Sequence, residues 1–249
     1  MLRKSKEGID WLEFDLLQAF PHVVHGVFLR HGGASTGEFS SLNMGGSTGD
    51  DKESIKNNRE KVQHLLSLKE LVSSYQVHGD RVAFVPEDRH LDAGCDGMIT
   101  SEKNIGLMIK HADCQAAIFF DPLHNAVACV HSGWRGSVQN IYKKTIEAMK
   151  AKIGTRPSDL LVCISPSLGP DHAEFIHYKE ELPPSFWEFQ TRPTYFNFWE
   201  ISRWQLKEEG VLDHHIEMAQ ICTYANTSDF FSYRKEKITG RNATVVAVF

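Results

Sequence analysis

Residues 111–136 read H-A-D-C-Q-A-A-I-F-F-D-P-L-H-N-A-V-A-C-V-H-S-G-W-R-G, and the fold of the chain turns on them. Gln115 to Phe120 and Asn125 to Val130 are apolar runs of strand length. Between them Asp121-Pro122-Leu123-His124 has turn chemistry, with proline where a type I turn favours it and aspartate just before. Joined by that loop as an antiparallel pair, Phe120 faces Asn125 and Cys114 faces His131. The two Cβ atoms are then roughly 4.5–5.5 Å apart. A thiol beside an imidazole at a strand mouth suggests a reactive site. The inference depends on register, because a slip of one residue sends the two to opposite faces. Cys129, inside A-V-A-C-V, reads as a small buried hydrophobe. For Cys114 both readings stand at this point.

With 249 residues, 41% apolar and 24% charged, the chain suits one large α/β domain spanning residues 1–249. A net charge of −5 argues against a nucleic-acid or anionic-membrane binder, which needs a basic surface. The five cysteines form no C-x-x-C pair, which favours a reducing compartment. The N-terminus lacks an apolar signal core and no apolar stretch is long enough to span a bilayer, so a cytoplasmic location is expected.

Upstream, a strand over Val23 to Leu29 delivers Arg30 into a glycine- and serine-rich loop from Gly32 to Gly49. Glycine permits close backbone approach to a ligand, and Arg30 ahead of the loop and a helix behind it favour that reading over a floppy segment. The helix is expected from about Asp51 to Leu66, with Asp50 and Glu53 as a capping box. Arg59 falls on its apolar stripe of Ile55, Val62, Leu65 and Leu66, where a charge either snorkels or reaches a cleft. A strand over Leu71 to Val77 ends at His78-Gly79-Asp80, and short extended runs follow at Arg81 to Val85, Met98 to Thr100 and Ile105 to Ile109. After Trp134-Arg135-Gly136 a helix is expected over Val138 to Lys152, stopped by Gly154. The corner before it offers free N–H groups beside Arg135, suited to an anion. Leu160 to Ser165, Ile216 to Cys222 and Thr244 to Phe249 read as strands, and Asn197 caps a helix that Gly210 ends. Residues 172–195 carry no clear pattern. Strands and helices alternate without clean βαβ units, which predicts an α/β sandwich with a mixed sheet.

The motifs R-H-G-G-A-S, S-L-N-M-G, N-R, Q-V-H-G, D-G-M-I-T, A-D-C, H-S-G-W-R-G, F-F-S-Y-R and T-G-R occur in this order. The chain thereby resembles the laccase-domain family, also called multicopper polyphenol oxidase-like proteins and purine nucleoside phosphorylases. The likeness runs from about Gly26 to Phe249. It implies a single α/β sandwich domain and a zinc ion held by His78, Cys114 and His131. The implied activities are phosphorolysis of purine nucleosides, including methylthioadenosine, and hydrolytic deamination of adenosine. The implied partners are a purine nucleoside and phosphate, with no nucleic acid and no membrane, in a monomer or homodimer. The chain departs from the family pattern where G-P-x-I-G and Y-E-V are usual; it has S-P-S-L-G and A-E-F, which puts the roles of His172 and Glu174 in doubt.

Two imidazoles and one thiolate form a tetrahedral zinc set with one position open, the pattern of catalytic zinc. Asp80 and Asp113, each within two residues of an expected ligand, are candidates for proton transfer or for supporting a ligand. Arg30, Arg59 and Arg135 are the candidates for phosphate, and Ser41 and Asn43 for sugar or phosphate contacts. A cysteine hydrolase using Cys114 and His131 leaves His78 idle. A multicopper oxidase needs more clustered histidines than these thirteen, which include no H-x-H pair. A non-enzymatic binder of a phosphorylated ligand has no use for an open metal position. The zinc cytidine-deaminase signature is absent.

Overall fold

The computed structural model describes residues 1–88 and 90–249. Its first seven strands are β1 (Leu2–Lys6), β2 (Ile9–Glu13), β3 (Val23–Phe28), β4 (Glu70–Ser73), β5 (Val82–Phe84), β6 (Gly97–Thr100) and β7 (Ile105–His111). The other seven are β8 (Gln115–Asp121), β9 (Ala126–Ser132), β10 (Leu161–Ile164), β11 (Gln190–Arg192), β12 (Tyr195–Phe196), β13 (Ile216–Met218) and β14 (Asn242–Val248). They form two six-stranded sheets, ordered β1-β2-β3-β14-β7-β4 and β13-β10-β8-β9-β6-β5, and a small β11-β12 hairpin. Both large sheets are mixed: β4 runs parallel to β7, while β5 and β13 run parallel to β6 and β10. This is the expected α/β sandwich, built on two mixed sheets.

The strands β8, β9 and β14 are buried along their whole length, which is why their sequences run apolar and do not alternate. Their inner faces, with Ile118, Phe120, Val127 and Val246, and that of β7, with Leu107 and Ile109, fill the space between the sheets. Each buried side chain of this size contributes about 1.5–3 kcal/mol. The outer face of the first sheet is covered by α1 (Lys52–Leu65) through Val62 and Leu65. The outer face of the second is covered through Ile141, Tyr142, Ile146 and Leu206. These belong to the helical segments α2 (Trp134–Val138), α3 (Ile141–Ile153), α4 (Tyr178–Glu181), α5 (Phe198–Glu208) and α6 (Tyr233–Glu236), of which α3 and α5 pack on the sheet.

Several local expectations shift. The β8–β9 register pairs Gln115 with Ser132 and Ala116 with His131, so it differs by two residues from the one read from the turn. The cause is Asp121, which stays in the strand and uses its carboxylate to accept the N–H groups of Leu123 and His124. Asn125 adopts φ 50° and takes the loop's last place. A two-residue shift preserves the face, so Cys114 and His131 remain on one side, as diagonal neighbours. The α1 cap is Asp51, whose carboxylate accepts from Ser54 N at 2.8 Å; Asp50 is drawn instead to Asn43 Nδ2 at 2.9 Å. The expected helix over 138–152 starts earlier and breaks, because Asn140 sits at φ 53° and caps α3 by accepting from Lys143 N. The strand expected to run to Val77 ends at Ser73, and the one expected to run to Cys222 ends at Met218.

Residues 172–195 build a small aromatic core in which Phe175, Leu182 and Phe186 pack with Phe196 and with Ile201 of α5. Its irregular backbone explains why no period was legible there.

Candidate metal centre and active-site cleft

Two strand ends and one loop converge at the mouth of the second sheet. Cys114 precedes β8, His131 lies near the end of β9, and His78 sits in the loop between β4 and β5. Their donor atoms lie within 4.8 Å of one another. The His78 and His131 rings are 4.8 Å apart at 81°. With the observed register continued, Gly133 comes opposite Cys114. A Cβ at Gly133 would stand 2.9 Å from the His78 ring and 3.1 Å from Cys114 Sγ, so the glycine keeps the space among the donors clear.

The carboxylate that organises these donors is Asp96, in the loop before β6. Its Oδ1 accepts from His131 Nδ1 at 2.7 Å and from His78 N at 2.9 Å. Its Oδ2 accepts from Val77 N and Gly79 N. Three successive N–H groups thus wrap one fully buried carboxylate, which holds His78 at φ 60°. Burial alone would raise the Asp96 carboxyl, but the His131 hydrogen bond and charge, with the backbone donors, bring it below the usual range. An ionised carboxylate only accepts, so His131 carries its proton on Nδ1 and turns Nε2 towards Cys114.

Burial acts against the Cys114 thiolate, yet hydrogen bonding and charge from His131, then His78, outweigh it and lower the thiol to about 6. The same pairing raises His131 to about 9, with Asp96 and Cys114 overcoming burial. A deprotonated sulfur, an oriented imidazole and a second imidazole are what a metal ion requires of its ligands. By donor chemistry these residues fit zinc. Cys129, by contrast, is fully buried and pushed up to about 12 by desolvation, the small core hydrophobe expected.

Two cavities open on either side of the donors and share His78, Ala112, Cys114 and Tyr233. One, of about 260 Å³, is walled by Trp134, Phe175 and Phe198, with Arg135 and Arg234 among its polar groups. The other, of about 380 Å³, is lined by Gly45, Gly46, Ser47, Gln76, Lys110 and Arg241. It continues past Gly46, Ser47 and Lys110 into an outer chamber of about 510 Å³ that includes Arg59. Arg59 donates to the Met44 carbonyl, Lys110 to the Ser74 carbonyl, and Arg241 to those of Thr239 and Gly240. Among the described residues these three cations hydrogen-bond to carbonyl oxygens and form no ion pair, although Asp92 also lines the outer chamber. Burial depresses Lys110 to about 8, with the charge of Arg59 adding to the effect. Partly buried cations that no carboxylate pairs directly are costly, and an anion relieves the cost.

The structure divides the remaining sequence candidates. Arg59 reaches the cleft, whereas Arg30 does not: it is pinned to Glu236 at 2.9 Å, to the Thr227 and Ser40 carbonyls, and over the Phe231 ring. Ser41 donates to the Arg30 carbonyl and accepts from Gly33 N. Asn43 is fully buried and binds Gly45, Thr48, Asp50 and Arg241 N. Both therefore shape the glycine loop and face inward. Asn58 completes the work, joining Ala34, Ser35 and the Asn43 carbonyl. Arg135 stands at the aromatic cavity, apart from Arg59. Asp113 gives its carboxylate to Thr223, Ser232 and Arg234 N, fastening α6 beside the site. Asp80 is half-buried ahead of β5 and lines neither cavity; the carboxylate at the ligands is Asp96.

Asp96, Lys110, Tyr233, Arg234 and Arg241 were missed as site residues. Asp96, Tyr233, Arg234 and Arg241 lie inside the quoted motifs D-G-M-I-T, F-F-S-Y-R and T-G-R, so a signal was present. Lys110 carried none beyond its place at a strand end. His172 packs on Tyr224 at 4.1 Å and approaches Cys222 Sγ at 3.5 Å, while the Glu174 carbonyl receives the Arg234 guanidinium.

Residues 24–249 match the family described as Multi-copper polyphenol oxidoreductase laccase. The chain belongs to that family. It is 33% identical over 259 residues to the purine nucleoside phosphorylase YlmD of Geobacillus stearothermophilus, covering 95% of this chain and 94% of that one. It is 31% identical over 245 residues to a purine nucleoside phosphorylase of Bacteroides thetaiotaomicron, covering 90% of each. The crystal structure of YlmD from Geobacillus stearothermophilus superposes with a TM-score of 0.87 at 30% identity, over 98% of this chain and 97% of that one. That of the hypothetical protein YfiH from Bacillus licheniformis gives 0.88 at 26% identity, over 99% of each. For all the family's copper-derived description, a single three-donor His/Cys group occurs among the described residues of this member. None of its helices is long and apolar enough to cross a membrane, among the described residues.

Proposed function

We propose that the chain is a zinc-dependent purine nucleoside phosphorylase acting on adenosine, inosine and methylthioadenosine, with adenosine deamination in the same cleft. The observation that carries this reading is the meeting of an aromatic cavity and a cationic cavity at His78 and Cys114. The names of the relatives support it. A purine is a flat apolar ring with polar edges, and Trp134, Phe175 and Phe198 offer faces and edges to it. Phosphate takes the cationic side, where Arg59, Lys110 and Arg241 hold its oxygens. The ribose spans the junction. In phosphorolysis a phosphate oxygen bonds to C1′ as the C1′–N9 bond breaks, and its electron pair leaves on the base. Positive charge grows on the ribose meanwhile. The cations align the nucleophile, and guanidinium groups near the base stabilise the departing charge.

His78, Cys114 and His131 would hold the metal, with Asp96 keeping His131 and the His78 backbone in place. When bound, the ion supplies Lewis acidity for an oxygen reactant, which suits water delivery to C6 of adenine. The chain's own part in that step is to seat the base and to exclude bulk water with the aromatic wall. Product analysis of adenosine, inosine and methylthioadenosine, with and without phosphate, tests the reading. Pentose 1-phosphates should appear only with phosphate, and inosine should form from adenosine without it. Failure to turn over any of the three by metal-loaded protein removes the proposal.

A further inference from the structure

Resting on the purine reading above, we infer that the aromatic cavity selects 6-oxopurines over 6-aminopurines, and that Arg234 with Arg135 makes the selection. Asp113, the only carboxylate lining it among the described residues, already accepts from two hydroxyls and from Arg234 N. Gln115 accepts from Tyr142 and Ser202 through Oε1 and donates to the Phe198 carbonyl through Nε2. Ser167 accepts from Trp199 Nε1, and Ser132 is paired with Ser137. Among the described residues the carboxylate, amide and serine acceptors are thus engaged, which leaves the exposed Tyr233 hydroxyl, a group that donates as well as accepts.

Donors are in surplus. The half-buried Arg234 guanidinium has five N–H groups and among the described residues directs them to one acceptor, the Glu174 carbonyl, at a long 3.3 Å. Arg135 lies over the Trp134 ring at 4.4 Å and lines the same cavity. A 6-oxopurine presents two acceptors, O6 and N7, at a spacing a guanidinium meets with two N–H groups at once. A 6-aminopurine turns an N–H₂ donor towards the same guanidinium, so that donor meets donor. One edge is satisfied and the other leaves donors opposed, an arrangement that discriminates strongly. The Arg234 backbone is anchored beside the cavity, since its N–H is tied to Asp113 at 2.6 Å. The preference also orders the two proposed reactions, because deamination of a 6-aminopurine nucleoside yields the better substrate for cleavage.

The test has two parts on the full-length, metal-loaded protein. Calorimetric titration with the free bases hypoxanthine and adenine reads the cavity directly, and chromatography separates hypoxanthine release from adenine release during phosphorolysis. Hypoxanthine should bind roughly 5- to 150-fold more tightly, the range of one good bidentate contact, and kcat/KM should follow. Arg234→Met should reduce that ratio towards one; Arg135→Met, at an exposed position the fold does not depend on, should reduce it in part. Equal or reversed binding of the two bases, or an unchanged ratio in both variants, overturns the inference. Absence of phosphorolysis with the binding preference intact would instead count against the phosphorylase reading and leave the selection by Arg234 standing.

Discussion

Asp96 Oδ1 lies 2.7 Å from His131 Nδ1 and, through the same carboxylate, binds the N–H groups on both sides of His78. One buried side chain therefore sets the tautomer of one expected ligand and the backbone conformation of another. Replacing Asp96 with Asn keeps the shape but inserts an N–H₂ group where donors already converge. Metal affinity should fall about 10- to 100-fold, as for other partners of metal-bound histidines. Competition against a chromophoric chelator measures this, and unchanged affinity in a folded Asp96→Asn protein would remove Asp96 from that role.

The ligand set itself is tested by elemental analysis. Purified protein should carry one zinc per chain, and His78→Ala and Cys114→Ser should each lose most of it. Full occupancy in both variants would refute the assignment. The Cys114 thiol, lowered to about 6 beside His131, also describes a cysteine nucleophile paired with its base. The two readings separate cleanly: chelation abolishes activity if the metal is required and spares it if the thiol alone attacks.

Much of this architecture was legible because strand periodicity and motif order are local signals. The runs at β8 and β9 and the stop at Gly154 needed no tertiary knowledge. The register was not legible to the residue, since Asp121 could serve the turn from outside the strand or from its last position, and only its hydrogen bonds to Leu123 and His124 decide. Arg30 misled for a related reason. An arginine before a glycine loop suits an anion site, but the chain returns some two hundred residues later to offer Glu236 and Phe231. Long-range partners of this kind leave no mark near the residue they capture. Asp96 was overlooked because a carboxylate after cysteine in a short loop looks like ordinary turn chemistry until His131 is brought to it.

The reassignment of Arg30 is open to direct measurement. Lysine there keeps the charge but cannot serve Ser40, Thr227 and Glu236 together or lie flat over Phe231. Arg30→Lys should destabilise the fold by about 1–3 kcal/mol, seen in denaturant unfolding, with the KM for phosphate unchanged at a temperature where the variant is folded. A raised phosphate KM without loss of stability would return Arg30 to the site.

The cationic side of the cleft makes the most exposed prediction, because its pH dependence has a fixed sign. Lys110 has its pKa lowered from the ordinary lysine value to about 8 by burial and by Arg59. Below that pH the ammonium is charged and contributes to holding phosphate; as pH rises through about 8 the charge is lost and the KM for phosphate should climb. Bound phosphate opposes the loss, so the limb should move to higher pH when phosphate saturates the protein. Folding responds in the opposite sense. Between about 8 and the ordinary value of 10.5 the unfolded chain binds the extra proton, so the cost of burying this ammonium is full below 8 and is relieved as pH rises. Lys110→Met should therefore raise the phosphate KM at neutral pH, erase the alkaline limb assigned to Lys110, and leave the protein at least as stable at pH 7. Arg59→Lys provides the companion measurement: it retains charge but loses the planar fork, and should weaken phosphate use without removing the limb. A phosphate KM that ignores both substitutions would place the anion elsewhere in the cleft.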